Sequence, residues 1–89
     1  MVVLELVAIV KKRELTFTLK EGTTIREFIE TMISIYGPQL EKEIYQDKDQ
    51  GKLNLNIYLN GRHIHFVNGL DSVLQDGDTL LLLPFAGGG

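Results

Sequence analysis

With 89 residues, 44% of them apolar, the chain can fill one small core and has no material left for a two-lobed enzyme. It contains no cysteine, which excludes disulfides, thiolate metal sites and a cysteine nucleophile. Its 12 acidic and 9 basic residues give a formal charge of −3, which argues against a nucleic-acid partner, since such binding rests on neutralised phosphates. The opening Met-Val-Val-Leu-Glu-Leu lacks the basic stretch and small-residue cleavage site of a signal peptide, and every apolar run is too short for a bilayer. The expectation is a cytoplasmic protein with no membrane partner.

The β-branched stretch at residues 2–10 reads as a strand, apolar on both faces except at Glu5 and so suited to the middle of a sheet. Lys11, Lys12, Arg13 and Glu14 read as a solvated hairpin turn rather than a basic patch. Beyond them Leu15, Phe17 and Leu19 alternate with Thr16 and Thr18, the pattern of a strand with one buried face. Thr24 and Glu27 have capping-box spacing, and Ile25, Phe28, Ile29, Met32, Ile33 and Tyr36 then recur as one helical stripe. Gly37 and Pro38 close that helix. Leu40 and Ile44 can pin one further turn. The charges of residues 47–52 read as solvated loop without the spacing of a calcium site.

Leu53, Leu55, Ile57 and Leu59 alternate with polar or amphipathic positions and run into Asn60-Gly61, the pair a type I′ turn requires. That register predicts Ile57 opposite Ile64 and Leu55 opposite Phe66 on the buried side, with Tyr58 opposite His63 and Asn56 opposite His65 outside. Two histidines on one strand face suit a metal, but no further ligands accompany them. A polar outer face, open to partner contact, is the better reading, and no metal is expected. Val73 and Leu74 suggest one helical turn, and Asp76-Gly77-Asp78 reverses the chain. Residues 80–83 are all leucine, so one pair faces the core and the other meets a helix, a partner subunit or solvent.

The order strand, strand, helix, strand, strand, strand predicts an α+β fold: a mixed four- to five-stranded sheet on one main helix, with first and last strands parallel. This is the β-grasp, ubiquitin-like arrangement, expected over residues 1–84 with a flexible glycine tail at 85–89. No nucleophile–base–acid set or phosphate-binding glycine loop is present, so the chain does not read as an enzyme. The run Leu83-Pro84-Phe85-Ala86-Gly87-Gly88-Gly89 reads two ways. It is a frayed end, or a slim handle whose carboxylate attacks the α-phosphate of ATP inside another protein's channel, where side chains would clash.

Asn60-Gly61-Arg62-His63-Ile64, the stretch from Gly69 to Asp78, and the leucine run into Pro84-Phe85-Ala86-Gly87-Gly88 together resemble the MoaD/ThiS family of ubiquitin-like sulfur carriers, which includes the archaeal small modifiers. The resemblance spans essentially the whole chain. It implies no resident cofactor, with ATP consumed by a MoeB/ThiF-type activating enzyme that adenylates the terminal glycine ahead of thiocarboxylate formation. In the MoaD branch, favoured by chain length and the insertion at residues 38–52, the tail then enters the MoaE-like large subunit of molybdopterin synthase. The chain is then a monomer or joins its partner in a hetero-oligomer. A tRNA-thiolation carrier, a lysine-conjugating modifier and a non-covalent ubiquitin-like binding module remain alternatives.

The family tail aligns its last glycine with Gly88, so Gly89 is an additional residue that displaces the carboxylate by up to about 3.5 Å. The reacting end is therefore assigned to Gly88 and Gly89 jointly, with Pro84, Phe85, Ala86 and Gly87 as the threading segment. The expected partner surface is the sheet face away from the helix. Leu81, Leu83 and Phe85 lie at its centre, and Tyr58, His63, His65 and Arg62 toward its rim.

Overall fold

The computed structural model describes residues 1–8 and 13–84. Strands β1 (Val2–Ala8) and β2 (Arg13–Leu19) pair antiparallel, from Val2 opposite Leu19 to Ala8 opposite Arg13. Glu14, expected in the turn, is a strand residue opposite Val7, while Lys11 and Lys12 lie outside the described residues. Helix α1 (Ile25–Tyr36) begins with the complete capping box: Thr24 Oγ1 accepts from the Glu27 N–H at 3.2 Å, and Glu27 Oε1 accepts from the Thr24 N–H at 3.1 Å. Gly37, with φ 96°, closes it through its N–H to the Ile33 carbonyl at 2.8 Å.

The buried stripe of α1 holds Ile25, Phe28, Ile29 and Met32, with Ile33 packed at its edge. Tyr36 falls outside it, 53% exposed. Helical phase does not explain this, since at 100° per residue Tyr36 lies only about 20° from Ile25; it is the last residue of the helix, and the chain turns away at Gly37. Pro38, the helix breaker, is also the first residue of α2 (Pro38–Ile44), where its missing N–H costs nothing. Two turns form where one was expected.

Residues 47–52 are not a free loop. Short strands β3 (Tyr45–Asp47) and β4 (Lys52–Leu53) make a separate two-stranded sheet. Lys48 Nζ holds it to the helices, 2.9 Å from Glu30 Oε1 and 3.1 Å from Glu41 Oε1. Asn54 donates its N–H to the Ile44 carbonyl and its side-chain amide to that of Lys42, which separates Leu53 from β5 (Leu55–Leu59).

Asn60 (φ 52°) and Gly61 (φ 82°) form the expected two-residue turn into β6 (Arg62–His63), setting Tyr58 opposite His63. The strand then stops. Ile64–Phe66 is a 3₁₀ turn, so Leu55 does not face Phe66, which is 75% exposed, and Asn56 bonds to His63 rather than facing His65. The helical turn expected at Val73 and Leu74 lies earlier, at Gly69–Asp71. Val73 instead bridges to Thr24, and the Leu74 N–H bonds to the Thr23 carbonyl.

Strand β7 (Thr79–Pro84) lies parallel to β1 and antiparallel to β5, giving the sheet order β2-β1-β7-β5-β6. This is the expected α+β β-grasp. Leu4, Leu6, Leu80, Leu82, Leu55 and Ile57 from the sheet meet Ile25, Phe28, Ile29 and Met32 from α1 in one core. Phe17 meets Phe28 edge-on, with ring centroids 5.0 Å apart. No helix among the described residues is long and apolar enough to cross a membrane.

Candidate functional site

The alternation of a strand divides the four leucines of β7. Leu80 and Leu82 are buried beneath α1, while Leu81 and Leu83 face the other side of the sheet and are only partly covered. Leu81 lies between Val7 of β1 and Tyr58 of β5, and Leu83 lies beside Asn56. Val3, 44% exposed, and Glu5 extend the same face along β1. An apolar centre thus sits on the uncovered side of the sheet, bordered by Tyr58 and, beyond it, His63.

The rim is a run of aromatic rings. Tyr58 and His63 meet edge-on at 5.2 Å, His63 and His65 at 6.4 Å, and His65 and Phe66 at 5.6 Å. His63 is fixed at both ring nitrogens: Nε2 lies 3.0 Å from Asn56 Oδ1, and Nδ1 accepts the His65 backbone N–H at 3.0 Å. Arg62 is exposed on β6 opposite Leu59, at the sheet's edge rather than at the apolar centre. No cluster of three metal-ligating side chains occurs among the described residues.

Pro84 ends β7 opposite Leu55. The expected threading residues Phe85, Ala86 and Gly87, and the reactive Gly88 and Gly89, lie outside the described residues.

The motif residues of the two turns near the start of β7 form a clasp that periodicity could not reveal. Asn60 Nδ2 donates to Asp78 Oδ1 at 2.8 Å, and Asn60 Oδ1 accepts the Thr79 N–H at 2.8 Å. The Asn60 N–H also reaches the Thr79 carbonyl, and Asp78 Oδ2 accepts the Gln75 N–H at 2.7 Å. On the β1 side, Val3 donates to Asp76 Oδ1 at 2.8 Å and Gly77 to the Val3 carbonyl at 2.9 Å. The Asn-Gly and Asp-Gly-Asp motifs therefore set where β7 starts, and with it which leucines face outward. In the sequence these stretches read as turns and as carriers of the family resemblance, not as a clasp; an amide and a carboxylate at two turns of one sheet end were the available signal.

The ThiS family model matches residues 3–89. The chain belongs to the ThiS family. Its members are small ubiquitin-like sulfur carriers, proteins acted upon rather than catalysts. The chain is 30% identical over 70 residues to the sulfur carrier protein CysO of Mycobacterium tuberculosis, covering 76% of this chain and 74% of that one. Among solved structures, it is similar to small archaeal modifier protein 1 of Methanosarcina acetivorans, with a TM-score of 0.75, 24% identity, and coverage of 100% of this chain and 98% of that one. A Pyrococcus furiosus protein assigned as subunit 1 of a molybdopterin converting factor superposes with a TM-score of 0.70 at 24% identity, over 94% of this chain and 98% of that one. At these identities the two structures speak for the fold alone.

Proposed function

We propose that this chain carries sulfur on the carboxyl group of its terminal glycine. A MoeB/ThiF-type enzyme joins that carboxylate to the α-phosphate of ATP with loss of pyrophosphate. The terminal sulfur of a persulfide on that enzyme or its sulfur donor then displaces AMP to give an acyl disulfide. A second thiol of that partner cleaves the S–S bond, leaving a thiocarboxylate on this chain and a disulfide on the partner. What carries the reading is that the family match runs through residue 89, while β7, paired on both sides, leads directly toward that glycine run. Glycines suit a narrow channel because they present no side chain. The lack of cysteine fits a carrier whose sulfur rides on its carboxyl terminus.

Docking is assigned to the outer face, with Leu81 and Leu83 as anchors, Tyr58, His63 and His65 at the rim, and Arg62 at the edge. The proposed acceptor complex is the large, MoaE-like subunit of a molybdopterin synthase. This finer assignment draws on the length, the insertion at residues 38–52 and the name of the Pyrococcus relative. The likeness to an archaeal modifier supports a second outcome of the same activation, an isopeptide bond to a partner's lysine.

The test is intact mass after incubation with ATP, a ThiF-type activating enzyme and a sulfur donor. The expected result is an oxygen-to-sulfur mass increase on the wild type and none after removal of Gly88 and Gly89. No increase on the wild type, or equal loading of the truncated chain, overturns the carrier reading. Removing Gly89 alone identifies the working terminus. Copurification with a large molybdopterin synthase subunit, against conjugates on lysine, separates the two acceptors.

A further inference from the structure

The outer rim contains a titratable group used as a helix cap. His63 precedes the Ile64–Phe66 turn, and its side chain takes the place an asparagine or aspartate oxygen ordinarily fills, accepting the N–H of the residue two positions on. An imidazole accepts at Nδ1 only when that nitrogen carries no proton. The other ring nitrogen faces Asn56 Oδ1, an acceptor, so Nε2 bears the proton. Two independent contacts thus select one neutral tautomer.

We propose that His63 is a proton-operated latch on the rim of the outer face. In the neutral form it holds the His65 N–H and with it the turn that presents His65 and Phe66. A proton taken from solvent at Nδ1 sets two N–H groups against each other, so the His65 N–H···Nδ1 bond breaks. The Nε2–H···Asn56 bond survives, because that nitrogen donates in both states. The ring stays tethered to β5 while the turn loses its cap and is left with its own Val67 N–H to Ile64 carbonyl bond. Phe66, already 75% exposed, has little packing of its own to hold it in place.

The groups facing His63 are few. β5 contributes the Tyr58 phenol and the neutral Asn56 amide, and the 3₁₀ turn the His65 imidazole, while Arg62, the preceding residue of β6, pairs with Leu59 and alternates to the other face. At the positions paired with Asn56 and Tyr58, β7 supplies only Leu83 and Leu81. No carboxylate among these described groups stands by to stabilise the imidazolium. The functional consequence, weaker docking of partners in acid, rests on the outer face being the docking surface; the latch itself does not.

The experiment is NMR on the whole ¹⁵N-labelled chain from pH 8 to about pH 5, the window in which imidazoles change charge. Ring-nitrogen shifts at pH 8 are expected to show the Nε2–H tautomer. As His63 takes up its proton, His65 amide exchange should rise about fivefold or more above its intrinsic pH dependence, the worth of one cap. The Phe66 ring resonances should move with it. His63→Asn keeps a capping acceptor without titrating and should hold the turn throughout; His65→Gln should leave the transition in place. An Nδ1–H tautomer at pH 8, unchanged His65 protection through the His63 titration, or a persisting transition in His63→Asn overturns the latch. Failure of sulfur loading leaves these readouts untouched, so the two readings fail separately.

Discussion

Asn60 serves two functions that ordinary turn residues divide. Its backbone adopts the left-handed conformation with φ 52°, and its side chain joins the turn between β5 and β6 to the start of β7. Asn60→Gly should keep the turn and lose the clasp, costing about 1 kcal/mol. Asn60→Ala should also strain the backbone, for a total of about 2 kcal/mol. Urea unfolding of both variants measures the difference; equal costs would mean that the backbone contributes nothing. The turn was legible in the sequence because its cause is local. The clasp was not, because it joins residues 18 apart that meet only after the sheet forms. His63 shows the same limit: its pairing with Tyr58 followed from the turn, but its ring taking the His65 N–H ended the strand one residue later.

At the level of elements, α1 was the most readable, since its cap, stripe and stop are all written within its own residues. β7 was readable in composition, and Leu81 and Leu83 were expected on the outer face, although four leucines in a row carry no alternation that by itself shows which pair faces in. The clasp supplies what the composition withheld. Leu82→Ala should therefore cost about 2–5 kcal/mol, and Leu81→Ala much less, about 1 kcal/mol. Binding to an activating enzyme should follow the reverse order, Leu81→Ala losing more affinity per unit of stability lost. Denaturation curves beside calorimetric titration would test this, and equal stability costs would contradict the alternation. β3 and β4 escaped sequence reading because strands of three and two residues carry no period. What builds them is the bonding of Asn54 to the end of α2 and of Lys48 to Glu30 and Glu41.

For the molecule as a whole, a single core lies between α1 and one side of the sheet, and the family resemblance was visible because its motifs are the joints of that arrangement. Stability should fall at alkaline pH. Burial, then the nearby charge of Glu30, raises the Tyr45 phenol above its ordinary range, and hydrogen bonds to Glu30 and Glu41 raise Lys48. Both groups hold their protons more tightly folded than unfolded, so their contribution is present below about pH 10 and is lost as pH rises beyond it. Urea midpoints at pH 8 and pH 11 should differ, and Tyr45→Phe should narrow the gap; an unchanged gap would place the loss elsewhere. The position of β7 has a mechanical consequence as well. A partner drawing on the residues beyond Pro84 pulls along the strand axis, not across it. The ladders to β1 and β5 then resist together in shear, two ladders where an edge strand would have one. For the proposed carrier, a partner could then draw the tail into its active site without unzipping the sheet.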